Sequence, residues 1–145
     1  KSKGGGVEFD LSHEIDYLLW IFGDIKKQQS QINKSSNITL DSNDFLHLCG
    51  TLKNKASFQI SLSYFSHLSR RELFVDTNKG TYFLNFISNQ LVHSYKKTSK
   101  KYSIKDFNYK KSFFLMHKNI LKVSKKNYLP DITFNNKVHK ILHSL

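Results

Sequence analysis

The chain contains one cysteine, one proline and, among 23 basic residues, only two arginines. A single thiol, Cys49, can form no internal disulfide, and no metal site can be built from thiols. A reducing, cytoplasmic location is therefore expected. Cys49 sits in the apolar run FLHLCGTL, where it reads as a small buried hydrophobe. No apolar run approaches the roughly 20 residues of a membrane span, so no membrane partner is expected. The amino-terminal end lacks the apolar stretch of a signal peptide: Lys1 to Gly6 leads into an acidic helical pattern. The chain does not begin with Met, and it is read as a fragment of a longer one.

The scarcity of arginine bears on the charge. The net charge is +12, from 23 Lys and Arg against 11 Asp and Glu. Such an excess attracts polyanions in general. Base readout and bidentate phosphate clamping favour Arg, however, and only Arg70 and Arg71 are available. The lysines gather instead in KKTSKKYSIK (96–105) and KKNYLP (125–130), which read as connections between elements. No specific nucleic-acid partner is expected.

What the chain does have is apolar and aromatic content: 39% hydrophobic residues, with twelve Phe and seven Tyr. At 145 residues this suits one folded domain with a real core. The segment from Val7 to Phe22 has a helical period. At about 100° per residue, Leu11, Ile15, Leu18, Leu19 and Phe22 share one side. Asp10, His13, Asp16, Tyr17 and Trp20 share the other, and Gly23 suits the position just past a helix end.

From Asp24 the period changes. DIKKQQSQINK reads as an edge strand guarded by Lys and Gln, and SSNITLDSN as a loop. FLHLCGTLK, ASFQISLSYFS, RRELFVDT, TYFLNFIS and QLVHSY read as successive strands. The breaks KNK, TNKG and SNQ are short, which implies antiparallel hairpins. A second helical period runs from about 107 to 125, with Phe107, Phe114, Ile120 and Leu121 apolar. Leu129-Pro130-Asp131 breaks it, and Asp131 can cap a last helix through Val138, Ile141, Leu142 and Leu145. The expected class is α+β: a predominantly antiparallel sheet of about five or six strands with helices packed on one face.

Taken together, Gly4-Gly5-Gly6, Asp10, His13, Asp16, Trp20 and Gly23 resemble the signature that opens the second domain of the glucose–fructose oxidoreductase / inositol dehydrogenase superfamily, NAD(P)-dependent sugar oxidoreductases. The later order of strands, Arg71 to a Gly80 turn, a Tyr- and Phe-rich helix, a proline and a final helix is similar too, so the resemblance covers nearly the whole chain. Only Leu11 and Ser12 separate Asp10 from His13, where three residues intervene in the commoner family pattern. The resemblance implies that residues 1–145 are a single C-terminal substrate-binding and oligomerisation domain. Its missing partner is an N-terminal Rossmann domain with a G-x-G-x-x-G loop and a Glu-Lys-Pro motif, neither of which occurs here. NAD or NADP is then the cofactor of the full-length protein, none is expected for this fragment, and a sugar or nucleotide-sugar is the substrate. A homo-oligomer formed through the sheet is also implied.

The residues suit that chemistry. Oxidising a sugar hydroxyl needs a proton acceptor, and an imidazole gains and loses protons near neutral pH. Asp10 and Asp16 are each one turn from His13 and can orient the ring or the substrate. These three are the candidate catalytic residues. Tyr17 and Trp20 offer a phenol and a stacking surface for a sugar, while His117 and Arg71 are further candidates for substrate contact. Read on residue types alone, the same triplet also fits a solvated, salt-bridged helix face. The competing reading is a non-catalytic self-association or interaction domain. No metal ligand set is expected, since no second His stands at ligand spacing beside His13.

Overall fold

The computed structural model describes residues 5–103, 109–122 and 132–145. In chain order the elements are α1 (Val7–Asp10), α2 (His13–Tyr17), a π-helical turn (Leu18–Phe22), β1 (Ile25–Asn33), β2 (Phe45–Leu52) and β3 (Ser57–Ser63). They are followed by β4 (Glu72–Thr77), β5 (Gly80–Asn85), β6 (Gln90–Tyr95), β7 (Thr98–Ser103), α3 (Tyr109–Lys122) and α4 (Ile132–Leu142). The chain divides into two compact units, Lys1–His67 with Pro130–Leu145, and Leu68–Leu129. The expected break at Leu129-Pro130-Asp131 and the Asp131 cap lie outside the described residues.

In the first unit β1, β2 and β3 form an antiparallel sheet in that order. Leu46 pairs with Leu62 and Leu48 with Ile60, so these side chains share one face. That face meets Val7, Ile15, Leu19 and Leu142, which closes a core of buried residues between sheet and helices. Burying each such side chain contributes about 1.5–3 kcal/mol. The strand β1 is an edge, as its Lys and Gln content predicts, and it carries an irregularity between Ile25 and Lys27. Gly50 on β2 faces this irregularity. A Cβ there would stand 2.0 Å from the Lys27 carbonyl oxygen, so only glycine admits the close approach of the two backbones.

The opening helix is not continuous. Leu11 and Ser12 form a turn between α1 and α2. Ser12 N–H donates to the Phe9 carbonyl at 3.3 Å and Glu14 N–H to that of Leu11 at 3.1 Å, three-residue bonds that tighten the backbone. Beyond Tyr17 the spiral widens into the π turn and ends at Gly23, whose φ of +95° suits glycine and whose N–H donates to Leu19 O. A uniform 100° per residue therefore fails across this segment. Tightening toward three residues per turn still aligns positions three apart, the spacing of Asp10 and His13.

In the second unit β4, β5, β6 and β7 form a second antiparallel sheet in that order. The α+β class and antiparallel pairing are as expected. The single sheet of about five or six strands is instead two sheets, of three and four strands. Between β3 and β4 the chain runs through Ser66, His67, Ser69 and Arg70, all exposed. That connection is longer than a hairpin loop, and β4 begins a new ladder. β7 is also unanticipated, because KKTSKKYSIK reads as a basic connection. Lys96 and Lys97 turn the chain, with Lys96 at φ +54°, and Thr98–Ser103 pairs with β6. Every residue of β7 is exposed, so it lacks the apolar alternation that marks a strand. In α3, Phe114 is exposed and the Lys118 ammonium lies 6.0 Å from its ring centroid. Among the described residues no helix is long and apolar enough to cross a membrane.

Candidate functional site

The short helix α2 holds His13 at its start, half-buried. Its Nε2 lies 3.2 Å from the Glu14 Oε1. The Tyr17 ring, one turn on, stands 5.9 Å from the imidazole between centroids. His13, Glu14 and Tyr17 thus form one cluster. Asp16 is half-buried on the same helix, and Trp20 is 77% exposed on the π turn.

Asp10 ends α1, on the other side of the Leu11–Ser12 break. Its carboxylate accepts a hydrogen bond from the Tyr64 phenol at 2.5 Å. Tyr64 follows β3, and its own N–H donates to the Asp44 carbonyl at 2.9 Å. Burial first, then the hydrogen bond to Asp10 and the charges of Asp10 and Glu8, raise the ionisation of Tyr64 well above that of a free phenol. The phenol therefore stays a donor.

Glu8 is buried; its Oε1 accepts from Asn43 Nδ2 at 3.0 Å, and among the described residues Oε2 has no partner. The neighbouring loop is fastened by Asp44, a fully buried carboxylate. Burial opposes its charge, but the Ser35 N–H, the Ser36 hydroxyl and N–H and the Lys34 charge hold it below the ordinary carboxylate value. At the far end of the helical segment Asp24 pairs with Lys137 at 2.7 Å and Lys53 at 3.0 Å, which hold its carboxyl low.

The remaining candidates lie in the second unit. Arg71, just before β4, stacks its guanidinium 5.0 Å from the Phe86 ring centroid. His117 is exposed on α3. Of the other histidines, His93 bonds the Lys79 carbonyl and stacks on Tyr82. His139 on α4 and His143, just past its end, lie 6.5 Å apart between centroids, and no group of three metal-ligating side chains occurs among the described residues. Cys49 is half-buried on β2 rather than fully buried.

Sequence reasoning overlooked Glu14, Tyr64, Glu8 and Asn43. Glu14 is the neighbour of His13 and was legible as such. Tyr64 continues the alternation of β3 and reads as core, and nothing local reveals that its hydroxyl meets Asp10, 54 positions away.

Gly5 and Gly6 lead into a helix of only four residues with the buried Glu8 carboxylate at its start. Negative charge there disfavours phosphate, so these residues do not fit a dinucleotide site.

No curated protein sequence matches the chain. Its fold is similar to UDP-N-acetylglucosamine 3-dehydrogenase from Acidithiobacillus ferrooxidans, with a TM-score of 0.77 at 12% identity over 92% of this chain and 43% of that one. It is also similar to levoglucosan dehydrogenase in complex with NADH and levoglucosan, with a TM-score of 0.76 at 11% identity over 92% of this chain and 45% of that one. An oxidoreductase from Agrobacterium radiobacter in complex with NAD+, L-tartaric acid and magnesium is a more distant likeness, with a TM-score of 0.56 at 18% identity over 63% and 28%. The chain thus spans less than half the length of these proteins. The profile of the oxidoreductase family's C-terminal alpha/beta domain matches residues 1–126, so the chain belongs to the glucose–fructose oxidoreductase / inositol dehydrogenase family through its C-terminal domain.

Proposed function

We propose that residues 1–145 are the substrate-side domain of an NAD(P)-dependent oxidoreductase acting on a hydroxyl of a sugar or nucleotide-sugar. A Rossmann domain preceding them carries NAD or NADP, the protein works in the cytoplasm, and the isolated fragment is inactive. The supporting observation is the half-exposed His13 imidazole on α2, flanked by the Glu14 carboxylate and the Tyr17 ring. His13 accepts the proton of the substrate hydroxyl, and a carboxylate at 3.2 Å attracts the imidazolium that forms. Asp10 and Asp16 accept hydrogen bonds from sugar hydroxyls, and exposed Trp20 offers a stacking face.

The test is NAD+ or NADP+ reduction by the full-length protein with UDP-N-acetylglucosamine, levoglucosan, glucose and myo-inositol in turn. His13→Ala is assayed beside wild type, and the fragment alone serves as control. Turnover that survives His13→Ala rules the assignment out.

Self-association accompanies this reading. No residue of the β4–β7 sheet is fully buried, and Phe74, large and exposed, stacks on the Phe83 ring of the neighbouring strand on one face. A second copy laid on that sheet removes this apolar surface from water. Sedimentation of the full-length protein and of Phe74→Lys distinguishes an oligomer from a monomer. A monomeric wild type excludes it.

A further inference from the structure

Asp10 is the last residue of a four-residue helix, exposed, and followed directly by a break in the backbone. A carboxylate so placed has no helical neighbour ahead of it to fix its rotamer. What fixes it is Tyr64, whose phenol donates to Oδ2. Among the described residues no side chain bonds Oδ1.

Both ends of this pair are tied to one short stretch of backbone. The Val7 N–H at the start of α1 donates to the Asn43 carbonyl at 3.0 Å, and the Asn43 amide bonds the buried Glu8. The next residue, Asp44, accepts the Tyr64 N–H through its carbonyl at 2.9 Å. Its side chain meanwhile gathers Ser35 and Ser36, and its N–H donates to Asn33 at the end of β1. Asn43 and Asp44 therefore set α1 and the end of β3 at a fixed separation, and the Tyr64–Asp10 bond spans it. Glu8 and Asp10 present two negative charges to the phenol, which keeps its proton on the oxygen.

We propose that Tyr64 is a positioning residue of the reaction: it fixes one carboxylate oxygen of Asp10 so that the other meets the substrate hydroxyl beside His13. This rests on the reading of Asp10 and His13 given above. It also accounts for the shortened spacing between them. With two intervening residues the chain bends at Leu11–Ser12, and the orientation of Asp10 passes from the helix to a side chain arriving from the sheet.

The test is a double-mutant cycle in the full-length enzyme with Tyr64→Phe, Asp10→Asn and the pair. Turnover is followed on whichever of UDP-N-acetylglucosamine, levoglucosan, glucose and myo-inositol wild type oxidises fastest, and urea unfolding is measured on the same proteins. Tyr64→Phe keeps the ring and its packing. Its kcat should fall roughly tenfold, the scale of a lost hydrogen bond to a charged group, with KM almost unchanged. The double variant should be no slower than Asp10→Asn alone. Losses that add, or coupling seen in unfolding but absent from kcat, make Tyr64 a structural residue and overturn the proposal. A fully active Asp10→Asn enzyme overturns the reading of the carboxylate itself, and the proposal with it. A damaged Asp10→Asn beside an undamaged Tyr64→Phe overturns the proposal alone.

Discussion

The Glu14 carboxylate lies 3.2 Å from the His13 imidazole, one residue along the same short helix. Neighbours in sequence do not face each other on a regular helix. The contact forms at the start of α2, directly after the Leu11–Ser12 turn, where the backbone is still recovering its helical path.

That pairing separates two contributions to turnover. His13→Ala should lower kcat of the full-length enzyme by about 10²–10⁴, the usual range for a general base. Glu14→Gln should cost about tenfold or less, since it removes a charge and not the base. Steady-state kinetics on the two variants check this ranking, and a Glu14→Gln enzyme slower than His13→Ala contradicts it.

Trp20 is 77% exposed, so its ring is held by little of the core. Trp20→Ala should alter unfolding stability by no more than about 0.5 kcal/mol. If the ring stacks on the sugar, KM should rise several-fold with kcat preserved, because stacking acts on bound substrate and transition state alike. An unchanged KM removes Trp20 from the binding surface.

Gly50→Ala should destabilise the first unit. The new Cβ would stand 2.0 Å from Lys27 O and 3.0 Å from Gln28 Cα, both backbone atoms. Nothing flexible can yield, so β1 must move away from β2. A loss of about 1–3 kcal/mol is expected, the scale of overpacking. Urea unfolding of wild type and Gly50→Ala checks it, and equal midpoints would show that the strands separate freely.

Asp44 gives the fold an acid limit. Its carboxyl is held below the ordinary value of 3.8 by the Ser35 and Ser36 donors. A group whose folded value is depressed favours folding above the unfolded value, and that contribution disappears as pH falls through the folded one. The unfolding midpoint should therefore drop as pH decreases below about 4. Asp44→Asn should be less stable at neutral pH and lose less on acidification. Asp24, lowered by Lys137 and Lys53, adds to the same acid loss and remains in the variant. Parallel pH profiles for wild type and Asp44→Asn would remove Asp44 as a cause.

The sequence by itself determined the elements whose signal is local. Alternating Phe58, Ile60 and Leu62 marked β3, lysine and glutamine marked the β1 edge, and apolar residues at helical spacing marked the face of Ile15 and Leu19 that now lies in the core. The order of types and the signature from Gly4 to Gly23 were enough to place the chain in its family. The tertiary structure alone decided what depends on distant partners. It split the strands into two sheets, made a strand of the solvated Lys-rich Thr98–Ser103, broke the helix at Leu11–Ser12, and brought Tyr64 to Asp10. A strand exposed on both faces has no hydrophobic period to display, and a hydrogen bond spanning 54 positions leaves no trace in either neighbourhood. Periodicity records which face of an element is buried; it does not record what that face, or the one opposite, will meet.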